Sequence, residues 1–119
     1  MSYSKGVRYE RDLLHFLGSQ GFSTLRVAGS GHSTPADILA IKKGIVIAIE
    51  CKAHTKKPKF PKDRLGEFKE WCERAGALGF LAWRSPRQDW LFLPLKDLEA
   101  NQYGDENWLK MESFLRALI

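Results

Sequence analysis

The stretch Ile45-Val-Ile-Ala-Ile-Glu-Cys-Lys52, preceded by Asp37-Ile-Leu-Ala-Ile-Lys42, restricts the fold more than any other part of this 119-residue chain. The two runs are β-branched and apolar, and Lys43-Gly44 between them is a two-residue hairpin turn, so a β-hairpin over 37–42 and 45–52 is predicted. With 43 and 44 as the turn, 42 faces 45 and every facing pair of numbers sums to 87. That register sets Asp37 opposite Glu50, with Cβ atoms about 4.5–5.5 Å apart on one face. Lys52 points to the same face, because side chains alternate along a strand. Two like charges in direct opposition repel unless a cation bridges them. The pair and its lysine therefore predict a bound metal beside a fixed positive charge. A salt bridge from Lys52 that merely neutralises the pair is the plainer alternative.

The remaining elements follow from periodicity. Ser4 to about Gly18 reads as a helix with Val7, Leu13, Leu14 and Leu17 as its apolar stripe, and Phe22–Val27 as a strand. The loop Ala28–Ala36 leads into the hairpin. A helix over 62–75 shows Leu65, Phe68, Cys72 and Ala75 at helical spacing, and Leu78–Arg84 and Trp90–Leu93 are strands around the turn 85–89. Asp105 is placed to cap a final helix to about Leu118, with Trp108, Met111, Leu115 and Leu118 on one side. The order α-β-β-β-α-β-β-α predicts an α/β fold, a mixed sheet flanked by helices, in one domain over 1–119.

Glu10 joins the hairpin pair by independent reasoning. Val7, Glu10, Leu14 and Leu17 share one helix face, so Glu10 lies inside the apolar stripe, where an unpaired carboxylate is costly. Either it pairs with an arginine, or it shares a metal with Asp37 and Glu50. An all-oxygen donor set of Asp and Glu selects a hard cation, Mg²⁺ with Mn²⁺ as substitute. His15, His32 and His54 form no His-x-x-x-His pair, which argues against zinc.

Net charge is +5. Residues 1–84 carry 15 Lys+Arg against 8 Asp+Glu, a balance of +7, whereas residues 85–119 carry 4 against 6, a balance of −2. A polyanion would meet the first part, 1–84, and 85–119 must serve another purpose. Lys56, Lys57, Lys59 and Lys62 just after the second hairpin strand are placed to contact phosphates, which confers affinity without base specificity. No apolar run approaches the ~20 residues of a membrane span. Cys51 and Cys72 do not make a disulfide framework, so an intracellular, reducing compartment is expected.

Asp37, Glu50-Cys51-Lys52 and an acid on the preceding helix resemble the PD-(D/E)xK nuclease superfamily. Lys-Gly-Val-Arg-Tyr-Glu-Arg-Asp-Leu (5–13), Gly-Phe-Ser-Thr-Leu-Arg-Val-Ala-Gly-Ser (21–30) and Ile-Glu-Cys-Lys (49–52) resemble the successive motifs of archaeal-type Holliday junction resolvases. The likeness covers most of residues 5–84. It implies a restriction-endonuclease-like fold and a homodimeric, Mg²⁺-dependent endonuclease acting on four-way DNA junctions, with no small-molecule substrate and no membrane partner. By the motifs, Glu10, Asp37 and Glu50 match metal-binding acids, the Cys51 backbone carbonyl a further ligand, and Lys52 the transition-state lysine. Ser30 matches a serine of the active site, with Ser33 the alternative in a loop longer than the shortest family versions. Arg11 and Arg26 match basic residues used on DNA. The resemblance also makes the apolar, acidic 85–119, with Trp90–Leu95 and the last helix, a dimer surface; otherwise those residues close the protomer's core. The rival readings are another nuclease of the superfamily and a non-catalytic DNA-binding module of the same fold.

Overall fold

The computed structural model describes residues 2–27 and 35–118, with side chains from residue 8 onward. At its centre is the predicted hairpin, β2 (Ile38–Lys42) and β3 (Ile45–Lys52), antiparallel, with Ile38 facing Ile49 and Lys42 facing Ile45. The pairs sum to 87, as the turn requires. Lys43 and Gly44 both have positive φ, 49° and 86°, the conformation a twisted two-residue turn demands.

Around the hairpin the strands run in sequence order, β1-β2-β3-β4-β5-β6. β1 (Ser23–Arg26) extends one side, antiparallel to β2. On the other side, β4 (Ala77–Trp83) is parallel to β3, which requires a crossover, and α2 (Lys62–Ala75) provides it. Gly76 ends α2 in the left-handed conformation at φ 65°. At Gly79 of β4 a Cβ would lie 2.9 Å from Cys72 Sγ and 3.0 Å from Phe68, so only glycine lets α2 approach the sheet this closely. β5 (Leu91–Pro94) and β6 (Leu109–Lys110) complete the antiparallel end.

Alternation along the strands divides the core in two. Ile38, Ala40, Ile47, Ile49, Phe80, Ala82 and Phe92 pack against Leu13 and Leu17 of α1 (Ser2–Ser19) and Phe114 of α4 (Met111–Ala117). Ala48, Leu81 and Leu93 face the other way, onto Phe68 and Cys72 of α2, Leu98 of α3 (Leu95–Glu99) and Trp108. The sheet is thus covered by helices on both faces, the mixed α/β layer arrangement that the element order predicts.

Two expectations about the last third need correction. The single helix from Asp105 to Leu118 is instead a 3-10 turn (Asp105–Asn107), the two-residue β6 and the short α4, with α3 before them. Trp108 and Leu118 do not share a helix face; they lie in the two cores on opposite sides of the sheet. The apolar residues of 85–119 are also not surplus surface: Trp90, Phe92, Leu93, Phe114 and Leu118 are buried in the protomer itself. Among the described residues, the exposed large apolar side chains are Leu25, Ile41, Ile45 and Leu78, all in the first part of the chain.

Candidate metal-dependent nuclease site

The pair that begins the sequence argument forms at the end of the hairpin. Asp37 immediately precedes β2, just outside its ladder, and its N–H donates to the Ile49 carbonyl at 2.9 Å. Its carboxylate Oδ2 accepts the N–H of Cys51, also at 2.9 Å. The backbone thereby holds the Asp37 side chain beside β3, next to Glu50. Strand parity sends Glu50 and Lys52 to the α2 face and Cys51 to the α1 face, where it packs on that core.

Glu50 is the unusual member. It is 3 % exposed, on a central strand with a neighbour on each side. Lys52 Nζ is 3.5 Å from its Oε2, and Arg64 of α2 reaches the same oxygen at 3.7 Å. Both contacts exceed ordinary hydrogen-bond length. Its Oε1 is buried with no hydrogen-bond partner among the described residues. Burial first, then the adjacent Asp37 charge, push the Glu50 carboxyl up to about 7; Lys52 and Arg64 pull it back only in part.

The donor chemistry fits a hard divalent cation. Two opposed carboxylates and a buried, orphaned carboxylate oxygen are the features such an ion satisfies, and Mg²⁺ characteristically takes one or two carboxylates, leaving its other positions to water and phosphate oxygens. Asp37 and Glu50 would hold it.

Glu10 is half-buried on α1, and its Oε1 accepts from Arg26 Nε at 2.7 Å. Burial raises its pKa foremost; the Arg26 hydrogen bond opposes that, and Asp37 adds to the rise, so the two acids do feel each other. Among the described residues, however, no three His, Cys, Asp or Glu side chains converge on one point. Asp37 and Glu50 stand together, and Glu10, within electrostatic reach of Asp37, is ion-paired with Arg26. The same ion pair commits Arg26, expected on DNA, to Glu10.

The other expected residues fall into place around the sheet end. Arg11 is exposed on α1, and Lys56 and Lys62 are exposed around the basic loop. Lys57 and Lys59 are exposed too, but Lys57 pairs with Asp105, and Lys59 stands over the Tyr103 ring at 5.7 Å. Tyr103 also accepts the Phe60 N–H at 3.0 Å, so the acidic last third anchors the basic loop. Ser30 and Ser33 lie outside the described residues. Burial among the neighbouring acids pushes the Cys51 thiol well up, which keeps it neutral.

Sequence reasoning missed two residues here. Arg64 gives no signal at its own position; only the fold of α2 against the sheet brings it to Glu50. Trp83 faces Lys52 across the parallel pair, donates from Nε1 to the His54 carbonyl at 2.9 Å and packs edge-on to Trp108. It fixes the chain as it leaves Lys52.

A carboxylate pair and a lysine at the end of a central hairpin, inside a mixed sheet covered by helices, define a domain of the metal-dependent nuclease class. The comparisons narrow that class. The family pattern of the archaeal Holliday junction resolvase (Hjc) matches residues 1–117. The crossover junction endodeoxyribonuclease Hjc of Archaeoglobus fulgidus is 38 % identical over 102 residues, covering 83 % of this chain and 75 % of that protein. The same-named protein of Sulfolobus acidocaldarius is 29 % identical over 107 residues, covering 86 % and 74 %. The solved structure of Archaeoglobus fulgidus Hjc, described as a Holliday junction resolvase from an archaeal hyperthermophile, superposes with a TM-score of 0.79 at 30 % identity, covering 94 % of this chain and 99 % of that one. The chain belongs to the archaeal Holliday junction resolvase family.

Proposed function

We propose that this chain is an Mg²⁺-dependent endonuclease that resolves four-way DNA junctions by hydrolysing one phosphodiester in each of two opposed strands. Mn²⁺ substitutes for Mg²⁺, since both take hard oxygen donors. The observation that carries this reading is the carboxylate pair of half-buried Asp37 and buried Glu50, with an orphaned Glu50 oxygen and with Lys52 beside it. Family membership supplies the substrate class: the relatives are crossover junction endonucleases by name.

A divalent ion held by the pair supplies an acidified water and a counter-charge for the phosphate. Asp37 and Glu50 would hold it, with the Cys51 carbonyl as a further ligand. Lys52 would then be free of Glu50 to orient the attacking water or to meet the negative charge that develops on phosphorus. Glu10 holds Arg26 beside the site, and Ser30, or Ser33, contributes from the loop before Asp37. Arg11 and the lysines 56, 57, 59 and 62 provide phosphate contacts that position DNA without reading bases, and Arg26 does so through whatever donors its Glu10 pair leaves free. That suits recognition of junction shape rather than sequence.

The working unit is a homodimer, because two sites related by a two-fold axis match the approximate two-fold symmetry of a four-way junction. Any contribution of 85–119 to the dimer comes from what its buried core residues leave exposed, half-buried Leu91, Met111 and Leu115 included, while Leu25 and Ile41 offer exposed apolar surface on β1 and β2. The test is a synthetic four-way junction with each arm labelled, beside linear duplex of the same sequence. Paired Mg²⁺-dependent nicks in the junction, abolished by Asp37→Asn while junction binding persists, are expected. Equal cutting of duplex and junction would replace the reading with a general nuclease, and binding without cutting in either metal with an inert binding module.

A further inference from the structure

Arg64 is a cation near the carboxylate pair that comes from a helix rather than from the hairpin. It sits in the first turn of α2, and its guanidinium spans a gap: one nitrogen lies 3.7 Å from Glu50 Oε2 and the other 3.5 Å from the Pro35 carbonyl. Neither distance is that of a strong hydrogen bond, and a guanidinium carries five donors in a rigid fork. The side chain is 31 % exposed, so it reaches solvent as well as the buried acid. Lys52 reaches the same Glu50 oxygen, so two positive groups attend the pair, one from the strand and one from the helix.

Formal charge gives this arrangement its meaning. Two carboxylates, one ammonium and one guanidinium sum to zero, so the site without metal is balanced by its own side chains. A divalent ion on Asp37 and Glu50 would take up the carboxylate oxygens and leave a surplus of two positive charges. A phosphodiester brings one negative charge, and the pentacovalent transition state of its hydrolysis carries one more. The surplus then equals the charge that develops. Lys52, a point charge, and Arg64, a planar fork that matches two phosphate oxygens, are not equivalent in that role.

We propose that Arg64 is a phosphate-contacting catalytic residue, parked on Glu50 while the metal position is empty and turned to the scissile phosphate when the metal is bound. This rests on the metal-dependent reading above. Arg64 is also distinct from the loop lysines: it stands against the carboxylate pair itself rather than along the path of a DNA arm.

The test uses the full chain carrying Arg64→Ala, Arg64→Lys or Arg64→Gln, with thermal melting to confirm folding. Three quantities are measured: single-turnover cleavage of a four-way junction at saturating Mg²⁺, the salt dependence of junction binding in Ca²⁺, and calorimetric binding of Mn²⁺ alone. Expected for Arg64→Ala is a cleavage rate lower by roughly 10²–10³-fold, as for loss of one preorganised donor to a transition state. The slope of log affinity against log salt should fall by about one phosphate contact. Mn²⁺ affinity should be equal to or tighter than that of the unaltered chain, since a cation competing for Glu50 is gone. Arg64→Lys should restore the salt slope but not the full rate. Should Arg64→Ala fail to fold, the same comparison is made between Arg64→Lys and Arg64→Gln, which differ in charge. Unchanged rate and slope overturn the proposal. A loss of Mn²⁺ affinity also overturns it, because Arg64 would then be positioning Glu50 for the metal. If the unaltered chain binds no Mn²⁺, the metal reading itself fails, a result separable from any effect of Arg64.

Discussion

Replacing Glu50 by glutamine should stabilise the metal-free protein while it abolishes the activity. In the folded chain this carboxyl is raised from 4.5 to about 7 by burial and by Asp37. A raised folded-state pKa means that the native protein holds a proton the unfolded chain has already released, so stability on this account is full below about 4.5 and falls as the pH rises to about 7. At about 1.4 kcal/mol per tenfold change in proton affinity, the loss by pH 8 is about 3 kcal/mol. Glutamine keeps the shape, removes the charge and leaves Asp37 without a like-charged neighbour. Urea unfolding in EDTA at pH 5 and pH 8 is the assay. The unaltered chain should lose stability between the two pH values, on the order of 2–3 kcal/mol from this group, and Glu50→Gln should lose less by about that amount. Adding Mg²⁺ at pH 8 should raise the unaltered chain's midpoint and leave that of Glu50→Gln where it was. Parallel pH profiles for the two proteins would refute the claim that Glu50 is a strained buried acid awaiting a cation.

Arg26→Ala should destabilise the chain by about 1–3 kcal/mol at pH 8 by leaving half-buried Glu10 without its ion pair. Because the Arg26 bond holds the Glu10 pKa down against burial, the variant's deficit should shrink as the pH falls and Glu10 takes up a proton; a deficit constant with pH in urea titrations would show that the pair contributes by packing alone. Phe114, stacked on Phe92 with ring centroids 3.8 Å apart and edge-on to Phe80, is fully buried. Phe114→Ala should cost about 3–5 kcal/mol, with an unfolding shift that does not depend on protein concentration, whereas a shift that vanishes on dilution would put this side chain at a subunit interface.

What could be read in the sequence and what could not divides along physical lines. The hairpin was legible because its register follows from one turn: with Lys43-Gly44 fixed, Lys42 meets Ile45 and Ile38 meets Ile49, which brings Asp37 to the end of the hairpin beside Glu50 with no distant contact needed. The helix over 62–75 was legible because Leu65, Phe68, Cys72 and Ala75 recur at helical spacing. The C-terminal segment misled because Trp108, Met111, Leu115 and Leu118 repeat at 3, 4 and 3, a helical pattern, while β6 uses pairing with β5 to send Trp108 to the other core. Local spacing lost to a long-range ladder. At the site, the acids could be singled out by being charged where apolar residues belong, but their partners could not: Arg26 and Arg64 sit 16 and 14 positions from Glu10 and Glu50, and nothing short of the packed sheet relates them.

The bond from the Cys51 amide to the Asp37 carboxylate joins a reactive group to the innermost strand of the sheet. The site cannot loosen while that strand remains in place, so the enzyme has no half-melted form in which its fold survives and its chemistry fails. Heat should silence it at the temperature where the whole domain gives way, and cooling that restores the sheet restores the geometry with it.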